Sequence, residues 1–277
     1  MKNLVLTVAT GILMSALLIS CNAQPSKSGG GVVTTGLTMT GSGAPAVAQS
    51  NLQKFFSVFI SSAVALSPPP MVDSTNRVVS LSEAWVVIKE IEFESQELSG
   101  AEELDGNDVE FTGPFYVDLL SNAPISFGDA QIPETGLRRI KMKLHKDSNI
   151  PTSAPLGLAN KSIYISGSVN SVAFTYAADD STEFEIGGPN PVVPSSAKEM
   201  LVEIKTANIF KKINLSSITI ATDISATNRV IVANPCPLIE ASATDLYTCF
   251  RKGLSKEADF GNDDGDFDLD ENDESVH

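Results

Sequence analysis

The chain has 277 residues, 42% of them hydrophobic, and a net charge of −15. This apolar content is sufficient for a folded core, whereas the acidic balance disfavours nucleic-acid binding, which needs a basic surface for the phosphates. The acidic excess lies near the C-terminus, where residues 257–274 contain ten acidic residues and no Lys or Arg.

Residues 1–20 have the organisation of a secretory signal. Lys2 gives a positive start, and the apolar stretch that follows it is too short to span a bilayer comfortably. The stretch ends in Leu18-Ile19-Ser20-Cys21, which resembles the lipobox of bacterial lipoproteins, in which the Cys receives a diacylglycerol and becomes the mature N-terminus. We therefore predict that Cys21 is lipidated and anchors the protein to a membrane of the bacterial cell envelope. An ordinary signal peptide with an incidental Cys is the alternative.

Residues 21–50 are predicted to form a lipidated flexible tether, because the segment 22–31 is rich in Ser and Gly and has no apolar anchor. A first short strand is predicted from Val32 to Thr40. The residue directly after the lipidated Cys is Asn22, and this resembles the sequence of lipoproteins that some bacteria send to the outer membrane by default. The predicted location is therefore the outer membrane.

The segment from Ser50 to Leu66 carries apolar side chains at helical spacing. Ser50 and Gln53 form a capping box, and three prolines follow the segment. These signals predict a short amphipathic helix. Because Lys54 is its only basic residue, docking onto the protein's own sheet is favoured over lying on a membrane surface.

From Val78 onward the apolar residues recur with a period of two, which is typical of half-buried strands. The clearest examples are residues 85–93 and residues 139–145. Further strands are predicted at Glu110–Leu119, Ser162–Val169, Val172–Tyr176, Glu183–Ile186, Leu201–Lys205 and Ser217–Ala221. Turn residues separate them at 113–114, 178–180 and 187–191. Many short strands without a βαβ order predict an all-β fold, an antiparallel β-sandwich with one short helix, over residues 51–235.

The central block resembles an uncharacterised domain family of bacterial envelope lipoproteins. The segments that carry the resemblance are Ser82–Phe93, Phe115–Leu120, Phe127–Pro133 and Arg139–Met142. The resemblance covers about residues 80 to 210 and implies an immunoglobulin-like or transthyretin-like β-sandwich. It implies no catalytic residues. On their own terms, Gly128-Asp129 and residues 133–136 are predicted as turns between strands.

Cys236 and Cys249 remain once Cys21 is assigned to the lipid. An even pair in an oxidising compartment predicts a disulfide that closes the segment 236–256. Two buried free thiols, or half of a metal site, are the alternatives, although the sequence nearby has no His to complete a zinc shell.

The sequence has no Gly-x-Ser-x-Gly elbow, His-Glu-x-x-His helix or phosphate-binding loop. His145 is the one His that a catalytic triad could use, but it continues the basic face formed by Arg139, Lys141 and Lys143, so an exposed strand position is predicted for it. This basic face is a candidate for binding an anionic polymer or the acidic tail, with an ordinary exposed strand face as the alternative. Asp118 and Asp129 lie in the family segments and are either ligands or turn and edge residues.

Residues 257–277 form an acidic tail, which is predicted to be disordered and solvating. The tail also has Asp residues at alternate positions around Gly265, a pattern related to calcium loops but not an EF-hand. If calcium binds there, the predicted ligands are Asn262, Asp264, Asp266, Asp268 and Asp270.

Together these features predict a lipid-anchored envelope protein that is not an enzyme and acts as a structural or binding module. Its predicted partner is the membrane, through the lipid anchor, with a protein or polysaccharide as a further partner and no nucleic acid. A carbohydrate- or polymer-binding domain would need exposed aromatic residues, for which Trp85 and Tyr116 are the candidates, although both are predicted to be buried. A hydrolase would need His145 in a cleft with a Ser and an Asp.

Overall fold

The computed structural model describes residues 32–41, 70–95, 109–121, 125–133, 137–192, 199–263 and 275–276, and these form a mostly β protein, as the sequence predicts. The strands are β1 (Val32–Gly41), β2 (Val79–Ser95), β3 (Val109–Asp118), β4 (Ile125–Pro133), β5 (Leu137–Leu144), β6 (Ile163–Val169), β7 (Val172–Ala178), β8 (Thr182–Val192), β9 (Glu199–Ile204), β10 (Thr222–Ile224), β11 (Ala258–Asp263) and β12 (Ser275–Val276). Two α-helices, α1 (Thr206–Lys211) and α2 (Leu246–Lys256), and a 3-10 turn at Leu156–Leu158 accompany them.

The strands form two mixed sheets. The small sheet has the order β12-β11-β9-β1-β4, and the large sheet follows the path β10-β7-β6-β2-β5-β8, with β3 also paired to β2. The expectation of purely antiparallel strands is wrong at two places, because β1 pairs in parallel with β9 and β7 in parallel with β10. Both pairs join strands that are far apart in the sequence, and such long connections allow the chain to re-enter a sheet in the same direction.

The turn predicted at Gly128-Asp129 is wrong, because both residues lie inside β4. Leu37 of β1 pairs with Gly128 and Thr38 pairs with Ser126, so that Phe127 is an extra residue and β4 contains a bulge. Gly128 has φ +118°, a conformation that favours glycine. The glycine therefore marks a bulge in a strand rather than the end of one.

The turns predicted at 113–114 and at 187–191 also lie within strands, β3 and β8. Leu137 pairs with Val192 and Arg139 pairs with Gly187, so the residues between these two β8 positions bulge out of register. β8 is the last strand on its path through the sheet, and prolines are tolerated at sheet edges and bulges because no ladder hydrogen bond depends on their missing N–H.

The strand predicted at Ser217–Ala221 is not formed, and the short strand β10 begins after it. The Arg77 guanidinium donates hydrogen bonds to the carbonyl oxygens of Leu215 at 2.5 Å and Ile218 at 2.8 Å. The buried Asp73 accepts from the Leu215 amide at 3.1 Å. These side chains hold the segment as a loop against the residues that precede β2.

The predicted disulfide is confirmed: Cys236 and Cys249 are bonded, with their Cα atoms 5.8 Å apart. Cys249 lies on α2, a helix that the sequence analysis did not predict. Asp245 caps this helix by accepting a hydrogen bond from the Thr248 amide at 2.8 Å. Both cysteines are fully buried, so the bridge ties the preceding loop to the core.

The acidic tail begins differently from its prediction. Glu257 is buried and forms an ion pair with Lys212, and β11 then pairs with β9 from Ala258 to Asp263. The expectation of a tail without regular structure is therefore wrong for these residues, because pairing with β9 satisfies their backbone groups. β12 pairs in turn with β11, and the connection between them lies outside the described residues.

One buried apolar cluster contains residues of both sheets and both helices. Met39 and Val202 represent the small sheet in it, and Ile88 and Ile140 the large sheet. Within the described ranges, no helix has the length and apolar character needed to cross a bilayer. The predicted signal, Cys21 and the helix predicted between Ser50 and Leu66 lie outside the described residues.

Candidate functional site

The large sheet divides at Val87 in the middle of β2. One edge of β2 pairs with β6 through residues 79–86 and with β5 through residues 88–95. Between these halves, the Val87 amide donates to the Ser162 carbonyl at 2.9 Å, and the Val87 carbonyl accepts from the His145 amide at 3.1 Å. The sheet therefore forks here into two wings, β6-β7-β10 and β5-β8.

The connection from β5 to β6 folds over this fork. Val87, Ala154 and Leu158 form a second small apolar cluster, separate from the main core. Four half-buried side chains pack around it, and we name them the fork patch: Trp85, Tyr116, Ile150 and Tyr164.

Strand register places the three rings of the fork patch on one face of the sheet. Trp85 lies opposite Tyr164 of β6 on one side and Asp118 of β3 on the other, and Val87 lies opposite Tyr116. Residues opposite each other in antiparallel strands share a face, as do positions two apart in one strand. The expectation that Trp85 and Tyr116 are buried is therefore only half right, since both keep part of their surface exposed.

The Tyr116 hydroxyl is held in place. It donates to Asp147 Oδ2 at 2.7 Å and lies 3.0 Å from the Asn149 carbonyl oxygen. Burial, then the hydrogen bond to Asp147 and its charge, raise the pKa of Tyr116 to about 12. The Asn149 amide and the Tyr116 hydroxyl lower the pKa of Asp147. Tyr116 is therefore a neutral hydrogen-bonding group at physiological pH.

Further polar side chains follow on the same face. Ser166 donates to the Glu83 carboxylate at 2.9 Å, and Thr175 donates to Asp223 at 2.6 Å. Glu83 lies opposite Ser166 in the register, and Ser166 lies opposite Thr175. A row of carboxylates and hydroxyls thus runs beside the rings.

His145 is exposed, as predicted, and directly follows β5. Its Nδ1 lies 2.9 Å from the Ser181 hydroxyl oxygen. The nearby Asp147 carboxylate accepts hydrogen bonds from Tyr116 and Asn149. The structure therefore brings a Ser and a His together, but the carboxylate beside them is occupied by other partners.

The basic residues of β5 lie between two acidic strands. Lys143 pairs with Glu90 of β2, and Arg139 and Lys141 both pair with Glu94, which Arg139 Nε contacts at 2.6 Å. On the other side, Arg139 also lies 3.1 Å from Glu185 of β8. The predicted basic face is thus an alternating charged surface whose bases already have acidic partners.

The remaining predicted site residues are scattered. Asp118 accepts a hydrogen bond from the Leu120 amide at 3.0 Å and so closes the turn after β3, and Asp129 lies in β4. Asn262 lies in β11, whereas the other predicted calcium ligands lie outside the described residues. Across the described part of the chain, no group of three or more His, Cys, Asp or Glu side chains could hold a metal ion.

Two residues near the fork were missed by the sequence analysis. Tyr164 occupies the outward position between two buried isoleucines of β6, and this alternation identifies it as a third ring on the face of Trp85. Leu156, in the 3-10 turn over the fork, is 89% exposed. Its neighbour Gly157 lies against the Tyr164 ring, because a Cβ at Gly157 would come within 2.2 Å of that ring.

Comparisons with known proteins give no relative: no family model, curated protein or solved structure matches this chain significantly.

Proposed function

We propose that this protein is a lipid-anchored protein of the bacterial envelope, in the outer membrane, that acts as a non-enzymatic structural or binding module. The anchor rests on the lipobox-like sequence that ends in Cys21 and on the Gly- and Ser-rich segment after it. The disulfide between Cys236 and Cys249 agrees with an oxidising compartment outside the cytoplasm.

We also propose that the two sheets pack face to face as a β-sandwich, in the manner of the envelope domain family that the sequence resembles. The shared buried cluster supports this arrangement, because it takes side chains from both sheets. Phe115 of β3 and Phe127 of β4 join the sheets further, with ring centroids 4.8 Å apart.

The observation that supports a binding role is the fork patch. A cluster that only stabilised the fold would gain most by burying its rings completely. Here Trp85, Tyr116 and Tyr164 keep part of their surface exposed beside the almost fully exposed Leu156. Partly exposed aromatic side chains with hydrogen-bonding neighbours are typical of recognition surfaces.

Occupancy of this surface in cells tests the proposal. A thiol introduced by Leu156→Cys is expected to react with a maleimide more slowly in intact envelopes than in the purified lipoprotein, because a bound partner covers it. Ile231→Cys is the matched control, since Ile231 is 74% exposed and lies elsewhere, on the loop that leads to α2. Equal protection at both positions, or at neither, would contradict a binding role for the fork patch.

A hydrolase is the second candidate, and the contact between His145 and Ser181 is the observation that favours it. The carboxylate near this pair among the described residues, Asp147, accepts hydrogen bonds from Tyr116 and Asn149. Reaction of Ser181 with a fluorophosphonate probe, lost in His145→Ala, would support this candidate over the binding module.

A further inference from the structure

We propose that the fork patch binds a neutral polysaccharide chain. This inference rests on the proposed function and specifies the ligand of the same surface.

The aromatic rings of the fork patch suit a sugar ligand. The C–H faces of sugar rings pack on aromatic side chains, while sugar hydroxyls need fixed donors and acceptors nearby. Trp85 and Tyr164 are directly opposite each other on neighbouring strands, so their side chains are about 5 Å apart at Cβ. Tyr116 adds a ring one diagonal position away, with its hydroxyl oriented by Asp147.

The charges around the fork patch favour a neutral ligand. Glu83 and Asp118 flank Trp85 on its face of the sheet, and Asp147 lies beside Tyr116. The nearby Lys161 has its Nζ 3.7 Å from Asp179, an acidic partner of its own. Carboxylates accept hydrogen bonds from sugar hydroxyls but repel anionic polymers, so the patch favours an uncharged chain.

The segment that carries the lipid anchor joins the domain far from the fork patch. The first described residue is Val32, directly after the Gly- and Ser-rich segment 22–31, and it pairs with Pro133 at the end of β4. Only residues 134–136 separate Pro133 from β5. β5 then runs roughly 25 Å to the fork. The ten residues from Asn22 to Gly31 span at most about 35 Å. The fork patch thus lies at the end of β5 remote from Val32, and a linker of this length lets the domain stand off the bilayer, so a polymer outside the membrane can reach the patch.

Fluorescence tests the proposal directly, because Trp85 is the only Trp in the chain. The mature lipoprotein in neutral detergent is titrated with hydroxyethylcellulose, glucomannan and glycol chitin, and with alginate as the anionic comparison. We expect at least one neutral polysaccharide to shift Trp85 emission to the blue and to protect it from acrylamide quenching, with no such effect from alginate. No response to any neutral chain, an equal response to alginate, or a response only to phospholipid vesicles would overturn the inference.

Two variants of Trp85 distinguish the stacking of a sugar on its ring from the packing of its side chain on the protein. Trp85→Ala and Trp85→Leu are each expected to weaken retardation in a polysaccharide gel by about tenfold, whereas Ile231→Ala leaves it unchanged. Trp85→Leu keeps an apolar side chain over Val87, so it tests the ring even if Trp85→Ala unfolds. Full retention of binding by folded Trp85→Leu would overturn the inference. Protection of Leu156→Cys in cells without any polysaccharide response would overturn the ligand class alone and leave the binding module in place.

Discussion

The Val87 amide donates a hydrogen bond to the Ser162 carbonyl at 2.9 Å, at the point where the large sheet divides. Beyond this bond the same edge of β2 pairs with β5 instead of β6. At the fork, the connection between β5 and β6 packs Ala154 and Leu158 against Val87. The half-buried aromatic side chains therefore gather here as a consequence of the topology.

Lipidation is expected to depend on Cys21. In Cys21→Ala, the precursor should stay uncleaved by the lipoprotein signal peptidase and take up no fatty-acid probe. At least two acyl chains hold a protein at a membrane because each buried CH₂ contributes about 0.8 kcal/mol. Mass spectrometry of the mature protein checks the assignment, and an N-terminus at any other residue would refute it.

Reduction of the bridge between Cys236 and Cys249 is expected to lower the free energy of unfolding by about 2–4 kcal/mol, because the bond restricts the unfolded chain. Urea unfolding of the oxidised protein and of Cys236→Ala/Cys249→Ala measures the difference. In the native, unreduced protein both sulfurs should resist alkylation, since they are bonded and fully buried. Ready alkylation of both would contradict the bridge in cells.

Calcium binding by the acidic segment remains a prediction from the sequence. A truncation at Lys256 is a poor test, since it removes β11 and its pairing with β9. The better variant changes the four predicted Asp ligands to Asn and keeps both strands: Asp264, Asp266, Asp268 and Asp270. If calcium binds there, calorimetry will show calcium heat in the natural protein and none in the variant. Equal heats, or weak binding removed by ordinary salt, would identify a solvating acidic segment.

Local patterns in the sequence predicted most strands and the disulfide. The alternation in β5 is a good example, because a period of two is read from neighbouring residues alone. The start of α2 is also a local signal, since Asp245 caps the helix and Leu246, Phe250 and Leu254 lie on one buried face, but the sequence analysis did not predict this helix.

Local sequence patterns could not predict the fork or the parallel strand pairs, because both depend on which distant strands become neighbours in the sheet. Nothing in the alternation of β2 indicates that one edge serves two partners. For the same reason the sequence indicated a basic face on β5 but not the acidic partners on β2 and β8 that neutralise it.

Glu94 is expected to stabilise the folded protein in a pH-dependent way. Burial raises the pKa of Glu94, but the hydrogen bonds and charges of Lys141 and Arg139 outweigh it and hold the pKa below its usual 4.5. This stabilisation is present above the unfolded pKa and is lost as pH falls through the folded pKa. Glu94→Gln should therefore lower the free energy of unfolding by about 1 kcal/mol at neutral pH, with the difference vanishing in acid.

Urea unfolding across the acid range measures this effect. Glu110→Gln is the matched control, because Glu110 is an exposed side chain on β3 that accepts only a 3.2 Å hydrogen bond from Thr112 among the described contacts. Glu110→Gln should lower the free energy of unfolding by less than about 0.5 kcal/mol. A Glu94→Gln penalty that persists unchanged in acid would show that the side chain acts through packing.

Two tyrosines on facing elements are expected to respond oppositely to loss of their hydroxyls. The Tyr247 hydroxyl on α2 lies 3.0 Å from Asp180, whereas the fully buried Tyr176 hydroxyl on β7 has no hydrogen-bond partner among the described residues. Tyr247→Phe should therefore lower the free energy of unfolding by about 1.5–2 kcal/mol, because it removes a hydrogen bond to a carboxylate. Tyr176→Phe should leave the free energy of unfolding unchanged or raise it by up to about 1 kcal/mol, because the substitution removes an unsatisfied buried group.

The rings of the two residues pack with centroids 5.6 Å apart, and both substitutions keep that contact. Urea unfolding compares the variants, and an equal loss in both would mean that the Tyr176 hydroxyl is hydrogen-bonded to a buried water.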